Sequence, residues 1–127
     1  MAPGVRAMVL VRAGIAAADP AAAVARAMAG VLADPPGPGG RWRVIAVGKA
    51  ARAMTQAALP GAEALAVTNA GNDAALAGAR VMRAGHPQPD ADGVAAAEAV
   101  IARLSSARPQ DRVLALISGG GSAMLPA

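Results

Sequence analysis

Near the end of the chain, Ser118-Gly119-Gly120-Gly121-Ser122 sets three glycines between two hydroxyls, directly after the apolar run 113–117. A short, partly β-branched apolar run reads as a buried parallel strand. Three glycines cost backbone entropy on folding, so a loop that keeps them needs positive φ or close backbone approach. At the carboxyl end of a strand in an α/β sheet, such a loop lies where these sheets bind ligands. Its N–H groups and two hydroxyls suit an anion, most often phosphate or carboxylate.

Lys49 is the only lysine among the 12 Lys and Arg residues, and it follows the apolar run 42–47 and Gly48. A compact, movable ammonium at a strand end suits a transferring phosphoryl group or a substrate anion. The plainer alternative is a solvated lysine on the first turn of a helix. His86, in Ala84-Gly85-His86-Pro87, is either a general base or an anchor for its loop. Thr68 and Asn69 end another strand, where they contact a ligand or make a turn. Asp90 and Asp92 read first as caps of the helix that follows, with metal or base roles secondary.

Several motifs are excluded. The 118–122 loop lacks the Gly-Lys-Ser/Thr ending and four-residue spacer of a Walker A loop. Val47-Gly48-Lys49-Ala50-Ala51 does not match the G-x-G-x-x-G dinucleotide fingerprint. Ser122 lacks the G-x-S-x-G spacing of a hydrolase elbow.

The elements that must position these residues follow from the pattern. The sequence predicts helices over 5–18 and 20–32, the second opened by an Asp19 N-cap and Pro20 at its first position. Asp34-Pro35-Pro36-Gly37-Pro38-Gly39-Gly40 is a loop. It separates a helical arm (1–33) from an α/β core (42–127). Strands are expected at 43–47, 64–68, 80–84 and 112–117, with helices at 49–59 and 91–106. Loops fill 69–78 and 85–90, the latter stiffened by two prolines. Strands alternating with helices predict a Rossmann-like three-layer α/β sandwich, its mostly parallel sheet covered on both faces. Gly48-Lys49, Thr68-Asn69, Gly85-His86 and 118–122 then all follow strands, so four loops share one edge and face one crevice.

A length of 127 residues suits one domain or part of one. With no Phe or Tyr and one Trp, the core must be built from Ala, Val, Leu, Ile and Met. The net charge of +4 comes from scattered arginines with no aromatic interleaving, which does not support nucleic-acid binding. No cysteine and a single histidine disfavour thiolate chemistry and a transition-metal cluster, so no protein-held metal is assigned. No apolar stretch is long enough to span a membrane. Residues 1–18 faintly resemble a signal peptide, but Arg12 interrupts the apolar part and a surface helix fits better. Only five residues follow Ser122, so a truncated domain is expected, with the last strand left as an unpaired apolar edge.

Taken together, 44–51, Val67-Thr68, 84–90 and 116–123 resemble the N-terminal part of the bacterial glycerate 2-kinases. This is the MOFRL-associated or DUF4147 group, also known under the name hydroxypyruvate reductase. The resemblance covers nearly the whole chain. It implies a much longer cytoplasmic enzyme of two α/β domains, with the active site between them. Members transfer the γ-phosphoryl of ATP, with Mg²⁺, to the 2-hydroxyl of D-glycerate. The partners implied are glycerate and nucleotide, not nucleic acid or membrane, and a homo-oligomer is compatible. Lys49 matches a functional lysine of the family's cleft. Gly48 and the loop Ser118, Gly119, Gly120, Gly121, Ser122 match its phosphate- or carboxylate-holding segments. Asn69-Ala70-Gly71-Asn72 departs from the more usual aromatic or Tyr-Gly segment, which leaves the ligand contacts of that loop open. The chain alone is expected to be inactive. The alternatives are an NAD(P)H-dependent hydroxypyruvate reductase and a non-catalytic sensor of sugar phosphates or organic acids.

Overall fold

A computed structural model describes residues 8–12, 19–58 and 63–125. In chain order these form β1 (Met8–Arg12), α1 (Pro20–Leu32), β2 (Trp42–Val47), α2 (Ala51–Ala58), β3 (Ala64–Thr68), β4 (Ala79–Arg83), α3 (Ala91–Ser105), β5 (Arg112–Ile117) and the single turn α4 (Gly121–Met124). The five strands make one sheet in the order β1-β5-β2-β3-β4, and every neighbouring pair is parallel.

Alternation along the strands sorts side chains into two cores. Val44 and Ala46 of β2, Ala64 and Ala66 of β3, and Leu114 and Leu116 of β5 pack with Val24 of α1 and Met54 of α2. Ile45, Val47, Leu65 and Val67 point the other way, onto Ala96 of α3 and Met124 of α4. The expected sandwich, built from Ala, Val, Leu, Ile and Met, is therefore present. Full burial of Leu114 and Leu116 contributes roughly 1.5–3 kcal/mol each.

Local signals place the helix ends. Asp19 caps α1, its carboxylate accepting the Ala21 N–H at 3.0 Å, and Pro20 needs no partner for a missing N–H. Asp90 caps α3 by accepting the Gly93 N–H at 2.9 Å. Asp92 does not cap; it lies exposed in the first turn of α3, where a carboxylate faces the positive end of the helix dipole.

Two expectations are corrected. The helix predicted over 5–18 is, at 8–12, a strand; Met8 stands opposite Val113 and Arg12 opposite Ile117. Residues 5–7 and 13–18 lie outside the described residues. The last strand is also no apolar edge, because β5 sits between β1 and β2 and its rows of amides and carbonyls are paired on both sides. Among the described residues no helix is long and apolar enough to cross a membrane.

A buried carboxylate locks the amino ends of the two central strands. Asp111 accepts the Arg41 N–H at 2.8 Å and the Arg108 N–H at 2.9 Å. The guanidinium groups of Arg43 and Arg108 approach it at 3.3 and 3.4 Å. Burial pushes this carboxyl up. The amides of Arg108 and Arg41 and the Arg43 guanidinium outweigh that and hold it down at about 2.

Candidate functional site

The strand order reverses where β5 returns to the far side of β2, and ligands of open α/β sheets bind beyond the carboxyl ends at such a point. Val47 and Ile117 are register partners at this end, so the loops that follow them leave the sheet side by side. The two loops are stitched together. Ser118 N–H donates to Val47 O at 2.9 Å, and Lys49 N–H donates to Gly119 O at 3.0 Å. Ala50 N–H donates to Ser118 Oγ at 3.1 Å.

Gly48 is buried at φ +126°, with its N–H on Val67 O at 3.0 Å. Its hydrogen faces Ser118, and no side chain fits between them. Lys49 is exposed. Its backbone is held from both sides, by Gly119 through the N–H and by Thr68 Oγ1, which donates to Lys49 O at 3.4 Å. Thr68 is thus fully buried and supports the lysine loop. Asn69 Oδ1 accepts the Asn72 side-chain amide at 2.8 Å and so closes a turn.

The glycine run divides into three roles. Gly119 meets open space where a side chain would stand. Gly120 has φ +91°, and a β-carbon there would lie 2.8 Å from His86 Cδ2 and 3.0 Å from Nε2. Gly121 opens α4 and packs toward Val47. Ser122 lies within α4, and its side chain is outside the described residues. His86 is carried on a loop that Asp90 also holds, since Asp90 Oδ1 accepts the Gly85 N–H at 2.9 Å as well as that of Gly93.

Two shallow clefts open on this edge. One, of about 250 Å³, is lined by Lys49, Ala50, Arg52, Gly71, Asn72 and neighbours. The other, of about 280 Å³, is lined by Asn69, Arg83, His86, Asp90 and Asp92 among others. The structure therefore brings together Gly48, Lys49, Thr68, Ser118 and Gly119, and separately His86 with Gly120. Lys49 and His86 line different clefts.

Two features escaped the sequence. Arg52 shares the Lys49 cleft, and nothing in its helical setting distinguished it from a solvated arginine. Ser118 Oγ, expected to meet an anion, accepts an amide at the start of α2. The N–H groups of Lys49, Ala50 and Ala51 go to Gly119 O, Ser118 Oγ and Gly48 O. The protein itself thus fills the positions that an anion would take at this helix end.

A Mg²⁺ ion takes oxygen ligands, usually one or two carboxylates with waters and phosphate oxygens. Among the described residues no group of three or more His, Cys, Asp and Glu side chains converges. Asp90 is committed to two amides. Asp90 and Asp92 line the His86 cleft together, so the described residues offer two carboxylates on this edge and no larger cluster.

Comparison with known proteins shows the family and the fold. The profile of a family described as "Domain of unknown function (DUF4147)" matches residues 6–127. The chain is 42% identical over 88 residues to a glycerate 2-kinase of Pyrococcus horikoshii, covering 67% of this chain and 20% of that protein. It is 37% identical over 118 residues to an Agrobacterium vitis protein provisionally named hydroxypyruvate reductase, covering 89% and 26%. The crystal structure of a glycerate kinase from Thermotoga maritima superposes with a TM-score of 0.69 at 28% identity, covering 84% of this chain and 26% of that one. The chain thus spans about a quarter or less of the length of these relatives.

Proposed function

We propose, from the premise that this chain belongs to the DUF4147 family, that the full-length protein carrying it phosphorylates D-glycerate on the 2-hydroxyl at the expense of ATP. The observation that carries the reading is the seam at the β2 and β5 ends. It pins the Lys49 backbone on Gly119 O and leaves the lysine exposed, lining a cleft with Arg52, Gly71 and Asn72 on the sheet edge where ligands of such folds bind. The likeness to glycerate kinases of Pyrococcus and Thermotoga supports it.

In the reaction the glycerate O2–Pγ bond forms and the bond from Pγ to the β,γ-bridging oxygen breaks. ADP leaves, and the hydroxyl proton goes to solvent or a base. Phosphoryl transfer asks the protein chiefly for positioning and charge neutralisation. Lys49 supplies a mobile positive charge for the transferring group, while its backbone, pinned by Gly119 and Thr68, sets where that charge can reach. The carboxylates on this edge, Asp90 and Asp92, line the neighbouring cleft, and no step here runs through the metal. We propose that the remaining groups lie in the rest of the full-length protein, and that residues 1–127 alone do not turn over.

The provisional name of the Agrobacterium relative raises a second reading, reduction of hydroxypyruvate by NAD(P)H. The geometry at the turn from β2 into α2 weighs against it. A dinucleotide pyrophosphate needs free amides at that helix start, and three of these are taken internally. The test is to incubate the full-length protein with ATP, Mg²⁺ and D-glycerate, and separately with NADH and hydroxypyruvate. ATP-dependent 2-phosphoglycerate is expected; NADH oxidation without it would replace the kinase reading with the reductase one.

A further inference from the structure

Arg52 lies in the second position of α2, half-buried, with its side chain directed across to the connection between β3 and β4. Its Nε donates to Ala74 O at 2.9 Å and its Nη2 to Ala75 O at 3.1 Å. One guanidinium thus holds two successive carbonyls, which suits the rigid planar fork better than a point-like ammonium on a flexible stem.

The segment it holds leads out of a turn that is knit within itself. Asn72 N–H donates to Asn69 O at 3.1 Å, Asn72 Nδ2 to Asn69 Oδ1 at 2.8 Å, and Gly71 N–H to Asp73 Oδ1 at 3.2 Å. Gly71, Asn72 and Ala74 form the wall of the Lys49 cleft opposite α2. The turn's own bonds fix its shape; the bonds from Arg52 fix where that shape stands relative to Lys49.

We propose that Arg52 is a positioning residue that sets the 69–75 turn as the outer wall of an anion-binding cleft, and so governs affinity for an anionic substrate more than the rate of transfer. The cleft takes a small carboxylate or a phosphate, with Lys49 as the charge that meets it, and Arg52 acts through the wall it holds. Lys49 itself is anchored elsewhere, on Gly119 O and Thr68 Oγ1, so releasing the turn leaves the lysine loop in place. An interaction that holds substrate equally before and during transfer appears in KM, not in kcat. The substrate part of this proposal rests on the kinase reading; the clamp does not.

The test compares wild type, Arg52→Met and Arg52→Lys in the full-length protein. The Met variant is expected to raise the KM of one anionic substrate about tenfold with kcat little changed, a scale in keeping with small misplacements at an active site. A rise confined to glycerate assigns the cleft to the carboxylate, and one confined to ATP assigns it to a phosphate. Arg52→Lys should behave like the Met variant. The NMR amide signals of Ala75 and Leu76, whose peptide groups carry the two clamped carbonyls, should shift in both variants without ligand. Unchanged KM values with a fallen kcat, rescue by lysine, or unshifted signals would each overturn the proposal. If wild type forms no phosphoglycerate, the kinase reading fails by itself, and the amide signals still decide the clamp.

Discussion

Gly48 and Ser118 are in such close approach that a β-carbon on Gly48 would overlap Ser118 Oγ and stand 2.7 Å from the Ser118 carbonyl oxygen. The contact joins the loop that carries the lysine to the loop that carries the glycines. It holds the backbone of Gly48 at φ +126°, a region closed to L side chains without strain. Gly48→Ala is therefore expected to lose about 2 kcal/mol or more of stability, from strain and clash together. Denaturant melts check this; a variant as stable as wild type would show that the two loops part easily.

Ser118 Oγ is the acceptor for the Ala50 N–H. Ser118→Ala leaves that amide to solvent and is expected to cost about 1 kcal/mol, the usual loss at a helix cap. Ser118→Thr keeps the acceptor and should recover part of it. If Ser118→Ala melts like wild type, the serine is not acting as an internal cap.

Gly120 faces the imidazole of His86. Gly120→Ala should destabilise the loop through both its φ of +91° and its clash with the ring. Only the clash is relieved by His86→Ala. The double variant should thus be more stable than additivity of the two single losses predicts, by an amount on the order of 1 kcal/mol in a double-mutant cycle. Strict additivity would separate the two residues.

Asp111 ties pH to stability. Its carboxyl is held at about 2, below its ordinary 3.8, so the native state binds this proton less readily than the unfolded chain. The stabilisation is fully present above the unfolded value and is lost as pH falls from about 3.8 toward about 2. It amounts to about 2 kcal/mol. Asp111→Asn should be less stable at neutral pH and should show a flatter profile across that window. Parallel acid profiles for the two proteins would contradict this.

Much of the fold was legible in local sequence. Pro20 after Asp19, Asp90 before an alanine-rich stretch, and the β-branched runs at 43–47 and 112–117 each announce an element through a short-range cause. Met8–Arg12 did not, because its alanine-rich surroundings read as helix and its strand character comes from pairing with β5, about a hundred residues away. The same long-range pairing hid the central place of β5. The site was legible as a set of loops on one edge, since all strands are parallel. Which groups face outward was not. Thr68 and Ser118 turn inward because their partners, Lys49 O and the Ala50 N–H, come from a neighbouring strand's loop. The Asp111 lock went unnoticed for a similar reason: its amide donors include Arg41, 70 residues away.

The central claim is that the Lys49 ammonium serves phosphoryl transfer. The direct measurement is 2-phosphoglycerate formed from ATP and D-glycerate by the full-length protein, wild type beside Lys49→Met. Lys49 is exposed, so the variant should fold and melt like wild type. Loss of a charge aimed at a transition state predicts a fall in kcat of about a hundredfold or more. A folded Lys49→Met protein that phosphorylates glycerate at the wild-type rate would contradict the account.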